Sequence, residues 1–208
     1  MTRSGTWWRG VAVAAGMLVA LPALAQTVVT DTFDDPNTAW TNGFQGDVRV
    51  GYEAGEYWMT ARSVSPIVLG SNGFAFANGT VSFEVRNAGE SLAHGQGVFL
   101  RAQDPDNYYA FYITSDSTFE AFHVVAGEIV PDSPPVSVLP AGLYRTDAPN
   151  VIEAVANGAE IEFRVNGTSV FTTTGVTWPE GVTGFLFVNT YIQPAGSIFD
   201  NWRVEVAP

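Results

Sequence analysis

The chain has 208 residues, no Cys, nine Arg or Lys against 21 Asp or Glu, and a formal net charge of −12. So acidic a surface repels nucleic acid and anionic lipid. The lack of Cys excludes a disulfide framework, a thiolate metal site and a lipid-modified cysteine anchor.

Residues 1–25 read as a targeting segment. Arg3 and Arg9 give a positive start, an apolar stretch runs from Val11 to Leu24, and Ala23-Leu24-Ala25 offers small residues where a signal peptidase cuts. The stretch is short for a permanent membrane span. The expected mature chain is 26–208, one domain, periplasmic or secreted, with no membrane association after cleavage. It carries seven Arg and 21 acids, a formal charge of −14. That balance suits a neutral or cationic ligand, or a divalent metal.

From residue 27 onward, short runs rich in Val, Ile, Phe, Tyr and Thr alternate with Gly- and Pro-bearing turns, which predicts an all-β protein of many short strands. In chain order the strands are expected at 56–61, 79–86, 97–102, 108–114, 119–125, 151–156, 159–165, 168–173, 182–189 and 197–206. Gln103–Asn107 supplies turn chemistry between two of them. His94, among Gly and Ala, reads as a loop residue. Asn157-Gly158 and Asn166-Gly167 are strong hairpin signals. The turns set an expected register of Ala156 facing Ala159, Ala154 facing Ile161 and Ile152 facing Phe163, with Glu153 opposite Glu162 on the other face. The Pro131–Pro140 stretch reads as an extended loop.

Gly97-Val98-Phe99-Leu100-Arg101-Ala102-Gln103-Asp104-Pro105-Asp106-Asn107-Tyr108-Tyr109-Ala110-Phe111 resembles the G-x-x-x-R-x-x-D-x-x-N-Y-Y-x-F stretch of concanavalin A-like lectin/glucanase domains. It is most similar to the bacterial branch with 3-keto-disaccharide hydrolase-like and laminin-G-like members. Asp31-Thr32-Phe33, Gly55-Glu56-Tyr57, Val165-Asn166-Gly167, Gly181–Phe185 and Phe199-Asp200-Asn201-Trp202-Arg203-Val204 match in that family's order. The resemblance implies a jelly-roll β-sandwich of two antiparallel sheets, paired terminal strands, and a concave face that holds glycans. The family's Asp-Gly turn after the Tyr-Tyr strand is Asp116-Ser117 here, which leaves the local loop shape open.

The superfamily's glycosidases carry E-x-D-x-x-E or E-x-D-x-E on one strand. Here the nearest run is Glu160-Ile161-Glu162-Phe163-Arg164, in which Arg164 stands where the third acid belongs. Glu153 and Glu162 are the weak catalytic candidates, since a glycosidase needs two facing carboxylates; an exposed sheet face eased by Arg164 is the plainer reading. No Cys or G-x-S-x-G nucleophile is present. Calcium takes oxygen ligands, and Asp31 and Asp200, with Asp34 and Asp35, are candidates for a structural calcium if the terminal strands pair; Asp104 and Asp106 form a second acidic pair. Alternation places Tyr109, Phe111 and Ile113 on one face as core, and Tyr108, Ala110 and Tyr112 on the other. The second face is expected to form a groove floor with Arg101 and His123. Trp178 and Tyr191 fall in loops where a ring could clamp a sugar. Phe99, Phe163, Phe185 and Phe187 are assigned to the core.

These readings converge on an exported, non-catalytic domain that binds an extracellular or cell-wall glycan and needs no cofactor beyond a possible structural calcium. The alternatives are a glycoside hydrolase-like enzyme acting on a sugar or modified disaccharide, and a structural or adhesive envelope protein without a small ligand. The latter predicts a flat, polar outer sheet face.

Overall fold

The computed structural model describes residues 26–88, 94–134 and 137–208. The leader expected over 1–25 lies outside the described residues. The strands are β1 (Thr27–Asp31), β2 (Gly43–Gln45), β3 (Val48–Glu53), β4 (Glu56–Ala61), β5 (Val68–Gly70), β6 (Ala75–Phe76), β7 (Gly79–Asn87), β8 (His94–Asp104), β9 (Asn107–Ile113), β10 (Thr118–Val125), β11 (Glu128–Pro131), β12 (Ser137–Val138), β13 (Asn150–Asn157), β14 (Glu160–Val165), β15 (Thr168–Thr174), β16 (Gly181–Asn189) and β17 (Ala195–Val206). No helix occurs among the described residues.

They form two antiparallel sheets. The nine-stranded sheet runs β15-β14-β13-β7-β17-β4-β3-β2, with β1 paired to β17; the eight-stranded sheet runs β11-β10-β9-β8-β16-β5, with β12 on β10 and β6 on β16. The terminal strands pair as expected, with Asp31 opposite Trp202. The inner faces meet in an aromatic core. Phe111 of β9 stacks on Phe163 of β14 at 4.9 Å, and Phe185 of β16 stacks on Phe199 of β17 at 4.3 Å, so each stack ties one sheet to the other. Each fully buried ring contributes roughly 1.5–3 kcal/mol. The fold follows from alternation: β7, β13 and β14 bury every second residue and turn charged partners outward.

The β14–β15 turn is the expected Asn166-Gly167, both at positive φ (49° and 78°). The β13–β14 hairpin departs from expectation. Its two loop residues are Gly158 and Ala159, and Asn157 pairs with Glu160. Gly158 supplies the only positive φ in that turn (56°), the requirement of a type II′ hairpin with glycine first. The register therefore moves by two residues: Ala156 faces Ile161, Ala154 faces Phe163 and Glu153 faces Arg164, not Glu162. A shift of two keeps every side chain on its expected face.

Three further corrections concern burial, chain path and the makeup of the core. His94 opens β8 and is buried, its ring 5.6 Å from that of Phe187. Within Pro131–Pro140, Ser137 and Val138 add a short strand to β10. Phe99, expected in the inter-sheet core, belongs instead to a second apolar cluster on the outer face of the eight-stranded sheet, with Tyr108, Ala110, Phe122, Val124, Leu186 and Val188.

Candidate functional site: a groove on the eight-stranded sheet

That second cluster marks the site. In β8, β9, β10 and β16 both faces are apolar, the pattern of strands covered on both sides. Register puts Tyr108 beside Val124, Ala110 beside Phe122 and Tyr112 beside Glu120 on the outer face. Phe99 lies next to Ala110, and Gly97 next to Tyr112 and Leu186. A Cβ on Gly97 would come within 1.9 Å of the Phe111 carbonyl oxygen, so glycine is what lets β8 and β9 close up under the floor.

Above this floor is a hollow of about 710 Å³. Its walls are the Pro66-Ile67 segment, Thr190, and the turns around Pro105-Asp106 and Gly127–Ile129. Tyr112 is half-buried, with Glu120 directly opposite it in register. Burial first, then the Glu120 carboxylate beside it, push the Tyr112 phenol above its ordinary range. Burial and the nearby Asp106 push Tyr108 up to about 12. Both hydroxyls stay protonated at physiological pH. The flat, polar face that a purely structural protein predicts is not what this sheet presents.

The expected groove set is divided. Tyr108 and Tyr112 line the hollow. Arg101 and His123 do not, which corrects the expectation that they share its floor. His123 pairs in register with Tyr109, so it points away from Phe122 and Val124; its ring lies 5.5 Å from Tyr109, and its Nδ1 is 2.9 Å from Asp132. Arg101 sits at a bulge with φ 52°, which interrupts the alternation of β8. Its guanidinium is buried and donates to the Trp178 and Ala77 carbonyls at 3.1 and 3.0 Å. Both carbonyls belong to crossover segments between the sheets, so Arg101 acts as an internal tie. Trp178 packs edge-on against Tyr109 at 5.2 Å. Arg101, His123 and Trp178 thus gather around Tyr109 on the side away from the groove. Tyr191 is exposed (54%), beside groove-lining Thr190, with its backbone N–H bonded to Asn189.

Glu153 and Glu162 lie on β13 and β14 of the other sheet, away from the groove. Glu162 is ion-paired to Arg164 at 2.6 Å, which holds its carboxyl below the usual range. Asp31 accepts from the Trp40 indole N–H at 2.9 Å and the Phe33 backbone N–H at 2.8 Å. Asp200 sits near Glu56, Glu84 and Asp34, and burial followed by those charges raises its pKa. Among the described residues, no three His, Asp or Glu side chains are grouped to hold a metal ion.

Sequence reasoning passed over Glu120, Phe122, Val124, Ile129 and Val188 as groove residues. The available signal was the apolar run on both faces of β10 and β16. A second hollow, about 660 Å³, lies on the nine-stranded sheet and includes Trp58, Thr60, Arg62 and Gln193. The Trp58 indole N–H donates to the Glu53 carbonyl at 3.1 Å, which fixes its ring.

The chain matches no protein-family model and no curated protein. Its fold is shared by solved structures at low identity. The carbohydrate-binding module CBM66 from Bacillus subtilis is 14% identical with a TM-score of 0.62, over 80% of this chain and 95% of that one. A Bacillus licheniformis β-glucanase is 13% identical with a TM-score of 0.61, over 87% and 98%. The kappa-carrageenase from Pseudoalteromonas carrageenovora, solved with an oligotetrasaccharide of kappa-carrageenan, is 11% identical with a TM-score of 0.59, over 93% and 99%. The architecture is the concanavalin A-like jelly roll, as the motif resemblance implied.

Proposed function

We propose that this protein is an exported, non-catalytic glycan-binding domain whose ligand lies in the groove of the eight-stranded sheet. The observation that carries the reading is the hollow itself: a cavity of about 710 Å³ where Tyr108 and Tyr112 stand beside the carboxylates of Glu120 and Asp106. Aromatic faces take the C–H surface of a sugar ring, and carboxylates accept hydrogen bonds from its hydroxyls. Solved structures of the same fold include a carbohydrate-binding module and enzymes named for glycan substrates, which supports a glycan partner.

The spacing of the acids favours binding over hydrolysis. Glu120 is opposite Tyr112, and Asp106 lies six residues before Tyr112 along the chain. At roughly 3.3 Å per strand residue that is on the order of 20 Å, whereas glycosidase carboxylates stand roughly 5–10 Å apart.

The test is calorimetric titration with a panel of neutral oligosaccharides, with and without calcium, on the wild type and on Tyr112→Ala and Trp58→Ala. The expected result is binding that Tyr112→Ala weakens about 3–10-fold, the size of one lost aromatic contact, and that Trp58→Ala leaves unchanged. Loss only in Trp58→Ala would move the site to the other sheet. Absence of binding to every glycan would overturn the proposal in favour of a structural role.

A further inference from the structure

The groove's charged side chains are of one sign. Glu120 and Asp106 accept hydrogen bonds and carry negative charge, the Tyr108, Tyr112 and Thr190 hydroxyls line the hollow with them, and no Arg or His is among the described residues that line it. Tyr112 stands opposite Glu120 on the same face. The floor between the acids is Phe122 and Val124, with Ile67, Ile129 and Val188 beside them. Such a surface gives a sugar hydroxyl no partner, and a hydroxyl pressed against it loses its water without return. A sugar unit that fits must therefore set an apolar group on the floor and present an N–H or O–H donor to the acid beside it.

We infer that the groove selects sugar units bearing a neutral N-acyl group, 2-acetamido hexoses being the simplest, over plain hexoses and over anionic sugars. This rests on the groove being the glycan site. The acetamido methyl is an apolar knob for the aliphatic floor, and its amide N–H is a donor for the Glu120 carboxylate. Sulfated or uronate units meet two carboxylates with no cation to offset them, and are repelled. Selectivity of this kind comes as much from penalising the unmatched ligand as from rewarding the matched one.

Three β-1,4-linked tetrasaccharides that differ only at carbon 2 test it by titration calorimetry: chitotetraose, its de-N-acetylated form and cellotetraose. Chitotetraose is expected to bind at least tenfold more tightly than either of the others. Glu120→Leu, at an exposed position, should narrow that preference to under threefold with the melting temperature held, while Glu120→Gln, whose amide still offers an oxygen acceptor, should keep it. Equal affinity for chitotetraose and cellotetraose would overturn the inference and leave glycan binding standing. Tighter binding of the de-N-acetylated form would also overturn it, because charge and not the acyl group would then be read. No binding by any of the three, nor by the neutral panel, would remove the glycan reading together with the inference.

Discussion

Tyr112 and Glu120 stand directly opposite each other on β9 and β10, so the phenol and the carboxylate share the open side of the sheet. The pair couples the groove's most accessible ring to an acid. The phenolate is disfavoured first by burial, then by the Glu120 carboxylate beside it. Glu120→Gln should therefore lower the Tyr112 pKa yet leave it above the ordinary tyrosine value, since burial remains. Ultraviolet difference titration of the wild type against Glu120→Gln, with Tyr112→Phe to assign the signal, measures this. An unchanged Tyr112 transition would mean that the pair is not formed.

Arg101 is a structural tie and not a ligand contact. Its guanidinium satisfies the Trp178 and Ala77 carbonyls, and burial lowers its pKa. Arg101→Met fills similar space but leaves both carbonyls without that donor. A loss of about 2–4 kcal/mol is expected, in line with removing buried charge-assisted bonds. Urea unfolding measures the loss, and glycan affinity under native conditions should not move.

Ser117 occupies the left-handed region, φ 64°, in the turn between β9 and β10. The Asp116 carboxylate caps this turn by accepting from the Thr118 backbone N–H at 3.2 Å and its hydroxyl at 2.8 Å, and from the Thr114 hydroxyl. The turn thus sets a serine, not a glycine, in left-handed backbone, and the serine bears the strain. Ser117→Gly should stabilise the protein by about 0.5–1 kcal/mol, the relief of a left-handed side chain less the added freedom of the unfolded glycine. Thermal melting checks it; a lower melting temperature would contradict the strain.

Asp200 carries a raised pKa because it is partly desolvated and faces Glu56, Glu84 and Asp34. A carboxyl that binds its proton more tightly in the folded state lowers stability while ionised. That cost is fully present above the folded pKa and disappears as pH falls through it towards the unfolded value. Asp200→Asn should therefore raise the melting temperature at pH 7 and make no difference below about pH 3. Its amide oxygen can still accept from the Asn201 N–H, which Asp200 holds at 2.7 Å. Melting curves across that range decide it; a constant difference at all pH values would exclude the electrostatic cause.

The sequence by itself determined the class of fold and much of its punctuation. The alternation of β7, β13 and β14 against charged partners marks a two-layer sandwich, and Asn166-Gly167 marks a tight turn, because both signals are local and have one physical solution. The motif around Arg101 and Tyr108 pointed to the right architecture. Alternation also set Tyr109, Phe111 and Ile113 in the core and left Tyr108 and Tyr112 on the open face of β9, as the structure has them. What local pattern could not decide was the side of β10. Both its faces are apolar, and only its register with β9 puts His123 opposite Tyr109 on the inner face and Glu120, Phe122 and Val124 on the groove. Arg101 escaped for another reason: its left-handed backbone breaks the period of two on which the expectation rested. The Glu153–Arg164 pairing depended on whether Asn157-Gly158 or Gly158-Ala159 closes the hairpin. The two turns differ by one residue at each end, and the ladder to β7 and β14, not the dipeptide, selects between them.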